Sequence, residues 1–296
     1  MPERVLILGG AGMLGHKAWQ VFRSCCDTYI TVRWPFSYYE HYGLFDREHT
    51  LDNVDVSETG VIQKAIEKIS PDVVINCVGI IKQSQAINNS RESIEINALL
   101  PHQLAQICNN LNIRLIYIST DCVFSGRKGQ YTEDDFSDAE DFYGKTKFLG
   151  EVNYGKSLTL RTSIIGRELN SRHGLLEWFL SQKGGVVKGY TKAIYSGWTT
   201  MALCDIILDI IKHYPDLAGL YHISSEPIDK FSLLSLINKI YQLNIEIKPD
   251  SEFVCDRSLD SARFRAVTGF KPLSWEEMIV RMYNDSRFYD NLGSKK

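Results

Sequence analysis

Short apolar runs alternate with amphipathic segments over the first 165 residues of the chain. Runs such as RVLILGG, DVVINCVG and RLIYIST lack the alternation of apolar and polar residues that marks a half-exposed strand. Such runs are typical of strands buried on both faces of a parallel sheet. Helical patterns separate them, over residues 12–26, 57–69, 91–111 and around 143–149. The repeat predicts an α/β fold built on a doubly wound parallel sheet.

The pattern changes after about residue 166. Loops become longer, tryptophans appear, and helical segments over 199–213, 231–242 and 274–285 surround one lone strand, GLYHISS. We therefore predict a Rossmann domain over residues 1–165 and a smaller, mostly helical lobe over 166–296 that binds the substrate. A strand near 219–225 is expected to return to the first domain.

Composition and charge favour a small-molecule function. The 296 residues are 44% hydrophobic and carry a net charge of −3 with both signs mixed, which indicates neither a nucleic-acid partner nor a membrane surface. The chain shows no signal peptide and no apolar run as long as a membrane span, so we expect a cytoplasmic protein. Its seven cysteines form no CxxC pair and its histidines form no HExxH motif. We therefore predict reduced thiols and no metal site.

A glycine loop, LGGAGMLGH, follows the first strand and opens the first helix. Gly9, Gly12 and Gly15 have the spacing GxxGxxG, which suits a tight turn, a close backbone approach to a pyrophosphate and close packing of helix on strand. The helix N-terminus, with Met13 and Leu14, offers unpaired N–H groups to phosphates. The loop predicts that the 1–165 domain binds a dinucleotide; a turn that serves packing alone is the alternative.

The end of the second strand favours NADP(H) over NAD(H). The strand ends in Arg33, and no carboxylate follows until Glu40. An arginine at this place accommodates a 2′-phosphate, whereas NAD sites place a carboxylate there. NAD(H) stays the alternative, because an arginine at a strand end is often only a solvated charge. Asp55 and Val56, after the third strand, are candidates for adenine contact, or Asp55 is a turn residue before the next helix.

The segment YGKTK contains the only Tyr-x-x-x-Lys of the chain, Tyr143 and Lys147. Chance alone produces about one such pair in a chain of this composition, so the spacing gains weight only from its position. On a helix, residues i and i+4 share a face and can point at one ligand. A neighbouring ammonium favours phenolate, so we expect Lys147 to lower the pKa of Tyr143 and to make it a proton donor and acceptor near neutral pH.

Four motifs in this order resemble the extended short-chain dehydrogenase/reductases. They are GxxGxxG, Asn97 in SIEINALLPHQLA, STDCVFSG, and YGKTKFLGE. Within that superfamily the first 165 residues look most like the dTDP-4-dehydrorhamnose reductase group. The resemblance implies that Tyr143 donates a proton to the substrate carbonyl, that Thr120 hydrogen-bonds the same oxygen, and that Lys147 holds the nicotinamide ribose.

The resemblance also implies further contacts around the ligands. Asn97 supports the lysine, with a solvated mid-helix residue as the alternative, and Ser119 lies beside the cofactor with Thr120. Other candidates for the cofactor are Cys77, Val78 and Gly79 on the nicotinamide side. Arg161, Thr162 and Ser163, at the domain junction, are candidates for the cofactor or the substrate, with a structural role as the alternative. Candidates for the substrate are Lys82, Asp121, Arg167, Trp198 and Arg257. A buried indole is the commoner situation for Trp198, and Arg167 is equally explained by a surface pair with Glu168.

The function that follows is NADPH-dependent reduction of the C4 keto group of a 4-keto-6-deoxy sugar carried on dTDP or UDP, for surface-polysaccharide or deoxysugar synthesis. Two alternatives stay open: an epimerase or dehydratase with tightly bound NAD, and a non-catalytic NADP-binding regulatory subunit, as in the methionine adenosyltransferase β subunit. A homodimer is compatible with the sequence. NCVG and DDFSDAEDF depart from the group's usual segments, which leaves the identity of the sugar open.

Overall fold

A computed structural model describes residues 3–82, 85–169 and 172–293. Its strands are β1 (Arg4–Leu8), β2 (Asp27–Thr31), β3 (Thr50–Leu51), β4 (Val73–Asn76), β5 (Arg114–Thr120), β6 (Ser157–Thr162), β7 (Ile164–Ile165), β8 (Val186–Tyr195), β9 (Trp198–Thr199), β10 (Gly219–His222), β11 (Ile228–Asp229) and β12 (Glu246–Asp256). Its α-helices are α1 (Met13–Phe22), α2 (Thr59–Ile69), α3 (Ser90–Ile94), α4 (Leu100–Asn110), α5 (Phe142–Leu149), α6 (Leu175–Leu180), α7 (Thr200–His213), α8 (Lys230–Tyr241), α9 (Ala262–Thr268) and α10 (Trp275–Gly293).

Seven parallel strands form the central sheet, in the order β10-β6-β5-β4-β1-β2-β3. β1 pairs with β2 on one side and with β4 on the other, so the winding reverses at β1. This is the predicted doubly wound Rossmann fold, and it is confirmed. Ligands of such sheets bind outside the carboxyl ends of the strands, at the point where the winding reverses. The carboxyl ends of β1 and β4 define that point here.

Helices cover both faces of the sheet, which explains the unbroken apolar runs. Leu6 and Leu8 of β1 pack on the face covered by α2 and α4, whereas Val5 and Ile7 pack on the face covered by α1 and α7. Successive residues of a strand point to opposite faces, so a strand between two helical layers must be apolar throughout. Among the described residues, no helix is long and apolar enough to cross a membrane.

The helix predicted over 91–111 contains an irregular turn. α3 and α4 are joined by a π-helical turn, Glu95–Leu99, which contains Asn97. Such a turn inserts an extra residue and is frequent at functional sites. Asn97 is 1% exposed and points into the protein, so the proposal that it is a solvated mid-helix residue does not apply.

The second half contains more sheet than its sequence pattern indicates. GLYHISS is not a lone strand: β10 pairs parallel with β6 in the central sheet, and β11, β8 and β12 form a separate three-stranded sheet. β12 is mostly exposed on both faces, so its sequence lacks the apolar alternation that predicts a strand. The domain boundary near residue 165 stays a prediction.

Candidate active site

The glycine loop connects β1 to α1 at the carboxyl edge of the sheet. Gly9 has a φ of +81°, in the left-handed region that favours glycine. The Gly12 N–H donates to the Gly9 carbonyl at 3.0 Å and closes the turn. A Cβ at Gly15 would overlap the Gly9 carbonyl. Gly12 is the N-cap of α1 and has no side chain that could cap the helix. The N–H groups of Met13 and Leu14, in the first turn, therefore stay available as hydrogen-bond donors. The loop thus has the geometry of a phosphate cradle.

Arg33 and Asp55 lie together at the far end of this crevice. The Arg33 Nη2 atom is 3.0 Å from Asp55 Oδ2, and its guanidinium stacks 5.4 Å from the Trp34 ring centre. Asp55 also accepts from the N–H and hydroxyl of Ser57, and these bonds, with Arg33, lower the pKa of its carboxyl. The Arg33 side chain is 54% exposed. The neighbouring Val56 packs partly buried under α2.

The loop after β4 is held by Asn97. Its side-chain oxygen accepts from the Ile80 N–H at 2.8 Å and its amide donates to the Ile80 carbonyl at 2.9 Å. A Cβ at Gly79 would meet Asn97 Oδ1 at 3.4 Å and Lys147 Nζ at 3.9 Å, so the glycine keeps a recess open beside that lysine. Asn97 therefore positions the loop, and its carbonyl also accepts from the Tyr117 hydroxyl, which in turn accepts from Lys147.

The same loop lines the crevice on the other side of the glycine turn. Val78 lies against Gly9, 3.0 Å from where a Cβ would stand, and the Cys77 carbonyl is beside it. Burial raises the pKa of the Cys77 thiol to about 12, so it stays protonated. The β4 loop is thus placed between the glycine turn and Lys147.

Close packing of α5 on the segment after β5 brings Tyr143 to Thr120. Asp141 caps α5 by accepting from the Gly144 N–H at 2.8 Å. A Cβ at Gly144 would overlap the Cys122 carbonyl, so only glycine permits this approach. Thr120 is the last residue of β5, and its hydroxyl lies close enough to the Tyr143 phenol to lower the pKa of that phenol. Sequence and structure agree on this pair.

Lys147 does not act on Tyr143 as the sequence led us to expect. Its ammonium donates to the Tyr117 hydroxyl at 2.6 Å and to the Ile118 carbonyl at 2.9 Å. Burial lowers the pKa of Lys147 to about 7, against an opposing effect of Glu151. Burial also raises the pKa of Tyr143, and the nearby Thr120 hydroxyl opposes that rise. The expectation of a lowered phenol pKa was wrong for this structure, because the ammonium is directed at Tyr117.

Ser119 and Arg161 belong to a buried network rather than to a ligand site. Ser119 donates to Glu151 at 2.6 Å, and Arg161 makes two bonds of 2.8 and 2.7 Å to the same carboxylate. Arg161 also lies 3.2 Å from the His222 ring on β10. These contacts occupy the polar atoms of both side chains, so the structural alternative describes Arg161, and the cofactor contact predicted for Ser119 is corrected. The network ties the end of α5 to β5, β6 and β10.

A cluster of charged side chains lies beside Thr120 and Tyr143. Asp121 is 6% exposed and accepts from the Thr120 hydroxyl at 3.2 Å; burial raises the pKa of its carboxyl, while Arg257 opposes the rise. Arg257 donates to the Phe124 carbonyl at 2.8 Å. Lys82 is 2.8 Å from Asp141, and Arg257 is 3.9 Å from the same carboxylate. Three predicted substrate residues, Lys82, Asp121 and Arg257, are therefore brought together.

The chain matches the RmlD substrate binding domain family over residues 3–288. It belongs to this family. A dTDP-4-dehydrorhamnose reductase of Aggregatibacter actinomycetemcomitans is 24% identical over 95% of this chain and 99% of its own. The spore coat polysaccharide biosynthesis protein SpsK of Bacillus subtilis is 22% identical over 93% and 95%.

Another relative aligns over half its length. The dTDP-4-keto-6-deoxy-D-glucose reductase of Streptomyces niveus is 24% identical over 51% of this chain and 47% of its own. Among solved structures, dTDP-4-dehydrorhamnose reductase from Bacillus anthracis in complex with NADP superposes with a TM-score of 0.79 and 23% identity, over 96% of this chain and 100% of that one. The likeness to this structure concerns the fold.

Two predicted substrate residues are not in the cluster. Trp198 is fully buried, donates its indole N–H to the Ile223 carbonyl at 3.2 Å and packs against Phe270. It cannot stack a ligand, so that prediction was wrong and the core interpretation holds. Arg167 pairs with Glu177 at 2.6 Å and lies over the Tyr289 ring, so it packs against α10. Glu177, rather than Glu168, pairs with Arg167, and the substrate contact stays a prediction.

Sequence reasoning missed Lys230 and Tyr195. Lys230 begins α8, and its Nζ atom is 4.1 Å from the centre of the Tyr195 ring. Burial lowers its pKa to about 8, opposed by Asp121, and its side chain is only partly accessible, as expected for a group that lines a cleft. No local sequence pattern links Lys230 to Asp121. The two residues come together only when the second half of the chain packs over the carboxyl edge of the central sheet. Among the residues described, no cluster of His, Cys, Asp or Glu could hold a metal ion.

Proposed function

We propose that this protein is an NADP(H)-dependent reductase of the C4 keto group of a nucleotide-linked 4-keto-6-deoxy sugar, carried on dTDP or UDP. The observation that supports this most strongly is the meeting of Thr120, Tyr143 and Lys147 at the carboxyl edge, next to the glycine loop. The family match over nearly the whole chain and the names of its relatives agree with it. SpsK and its role in coat polysaccharide support a place in surface-polysaccharide synthesis.

The residues present fit a dinucleotide. The glycine turn leaves donors free for a pyrophosphate, and the recess at Gly79 opens beside Lys147. In this proposal Gly9 to Gly15 hold the pyrophosphate, Arg33 holds the 2′-phosphate, and Asp55 and Val56 face the adenine. Cys77, Val78 and Gly79 lie at the nicotinamide and Lys147 at its ribose. When bound, NADPH supplies the hydride; NADH is the alternative donor.

The side chains supply the proton and the orientation. Tyr143 keeps its proton at rest because burial raises the pKa of its phenol, so it begins the reaction as a donor. The Thr120 hydroxyl lies beside it, where it can hydrogen-bond the same carbonyl oxygen and favour the tyrosinate that forms. Lys147, one helical turn from Tyr143 on α5, would stabilise that negative charge in its protonated form. Tyr143 and Thr120 are therefore suited to proton donation to a carbonyl oxygen.

The charged cluster offers a place for the nucleotide sugar. Arg257 and Lys230 enter from the second half of the chain and Lys82 from the loop after β4. Arginine suits a diphosphate because its planar fork bonds two oxygens. Asp121, whose carboxylate lies beside Thr120, can accept from a sugar hydroxyl. A cytoplasmic location and a homodimer stay predictions.

The test is NADPH oxidation across a panel of dTDP- and UDP-linked 4-keto-6-deoxy sugars. We expect net NADPH consumption with at least one member, and a loss of roughly 10²- to 10⁴-fold in turnover in Tyr143→Phe with unchanged NADPH affinity. Tyr190→Phe, an exposed tyrosine of β8, is the matched control. Full activity in Tyr143→Phe would contradict the assignment. Turnover without net NADPH consumption would indicate the epimerase or dehydratase, and binding without turnover on any sugar would indicate the regulatory subunit.

A further inference from the structure

The glycine loop is connected to the C-terminal helix by one histidine. His16 follows Gly15 in α1 and is fully buried. Its Nδ1 atom is 2.7 Å from the Gly12 carbonyl oxygen, and its Nε2 atom is 2.6 Å from the Tyr289 hydroxyl of α10. The two ring nitrogens thus bridge a residue of the cofactor turn and a residue from the other end of the chain.

The bonding partners fix the tautomer of His16. A carbonyl oxygen only accepts, so Nδ1 must carry the proton and donate it to Gly12. Nε2 then has a lone pair and accepts from the Tyr289 O–H. Burial lowers the pKa of His16 to about 3, with Lys17 adding to the effect, so the ring stays neutral and keeps this tautomer through the working pH range. Removal of the Tyr289 hydroxyl would leave Nε2 buried without a partner.

Two cations contact the ring of Tyr289. The Lys17 ammonium lies 5.1 Å from the ring centre and the Arg167 guanidinium lies 4.8 Å from it. Lys17 also pairs at 2.5 Å with Asp285, one turn before Tyr289 in α10. Two consecutive residues of α1, His16 and Lys17, are therefore attached to one face of α10. The tyrosine hydroxyl is fixed well enough to act as an anchor.

We propose that Tyr289 and His16 are positioning residues of the dinucleotide site. Tyr289 orients the His16 ring, and His16 holds the Gly12 carbonyl, which is also the acceptor of the first α1 backbone bond, from the His16 N–H at 3.1 Å. The first turn of α1 then keeps its free N–H groups directed at the phosphates. This inference rests on the proposed dinucleotide site, but not on the sugar or on the reaction.

The experiment measures NADPH dissociation constants by fluorescence titration of the full chain, without any sugar. Loss of one buried hydrogen bond is worth roughly 1 kcal/mol, so Tyr289→Phe is expected to weaken NADPH binding about fivefold to tenfold. Tyr283→Phe, a half-exposed tyrosine of the same helix, is the matched control and should bind like wild type. In a His16→Ala background, Tyr289→Phe should not weaken NADPH binding further, because the connection from Tyr289 through His16 to Gly12 is already lost.

Hydrogen exchange separates this role from a general loss of stability. In Tyr289→Phe we expect faster exchange of the amides at the start of α1, with the β5 and β6 amides unchanged; this comparison stands even where His16→Ala does not fold. Two results would overturn the positioning role of Tyr289 and His16. One is unchanged NADPH affinity in Tyr289→Phe, and the other is an equal loss of affinity from Tyr289→Phe in the His16→Ala background. Wild-type protein that binds no dinucleotide overturns both proposals, whereas NADPH binding with no sugar reduced overturns only the reductase.

Discussion

Burial sets the protonation states of the two central side chains. Tyr143 is partly buried and Lys147 is almost fully buried, which disfavours the phenolate of the first and the ammonium of the second. Hydrogen bonds to the Tyr117 hydroxyl and the Ile118 carbonyl favour the charged form of the lysine, and the negative charge of Glu151 adds to this effect. The resting site thus holds a proton on the tyrosine and a readily titrated lysine beside it.

A lysine with a lowered pKa makes stability depend on pH. The pKa of Lys147 is about 7 in the folded protein and 10.5 for an ordinary lysine. Between these values the unfolded chain binds more protons, so wild-type stability rises with pH. Between pH 7 and 9.5, the free energy of unfolding of wild type should rise by on the order of 3 kcal/mol because of this lysine. Lys147→Met lacks this contribution, so its stability relative to wild type should fall by the same amount.

Urea unfolding at the two pH values measures this difference. Lys145→Met removes an exposed lysine from the same helix and is the matched control. A Lys147→Met difference that stays constant with pH would show that the lysine is not held in a costly buried state.

Arg33 is the residue on which cofactor preference depends in this account. Its guanidinium pairs with Asp55 and stacks on Trp34, and half of its side chain faces solvent. We expect Arg33→Ala to weaken NADPH binding about tenfold or more, as for loss of a charged hydrogen bond, and to leave NADH binding nearly unchanged. Arg47→Ala removes another exposed arginine that pairs with an aspartate and stacks on an aromatic ring, and should change neither. Equal losses for both dinucleotides would exclude a 2′-phosphate contact.

At the scale of elements, one buried ion pair joins the end of α5 to the sheet. Glu151 and Arg161 are 7% and 4% exposed, and the pair links Ser119 of β5 and His222 of β10. Loss of one partner leaves an unpaired buried charge, so Glu151→Gln should lower the free energy of unfolding by about 3 to 5 kcal/mol. Glu95→Gln breaks an exposed pair with Arg91 and should change it by less than about 0.5 kcal/mol. Equal effects in urea unfolding would contradict the structural role given to this network.

Helices and strands could be predicted where burial produces a recognisable pattern of apolar residues. The strands of the central sheet and α1, α2 and α5 follow from apolar runs and helical spacing because both faces of the sheet are covered. The π-helical turn at Asn97 has no signature in local spacing. β12 was missed because a mostly exposed strand needs no apolar alternation.

At the scale of the whole molecule, motif residues were found and their distant partners were not. Thr120 and Tyr143 lie together as predicted, since short spacings and the sheet edge determine their position. Lys230 and Tyr289 come from far along the chain, and only the packing of the second half places them. Trp198 was assigned wrongly because residue type alone does not distinguish a stacking surface from core. The roles of the site residues stay predictions.

The most direct test of the central claim follows the hydride itself. NADPH with deuterium at the transferred C4 position is incubated with the protein and the active 4-keto sugar, and the product is examined by NMR. We expect one NADPH to be oxidised for each sugar reduced, with deuterium on C4 of the product. A product without deuterium, formed with no net oxidation of NADPH, would contradict it.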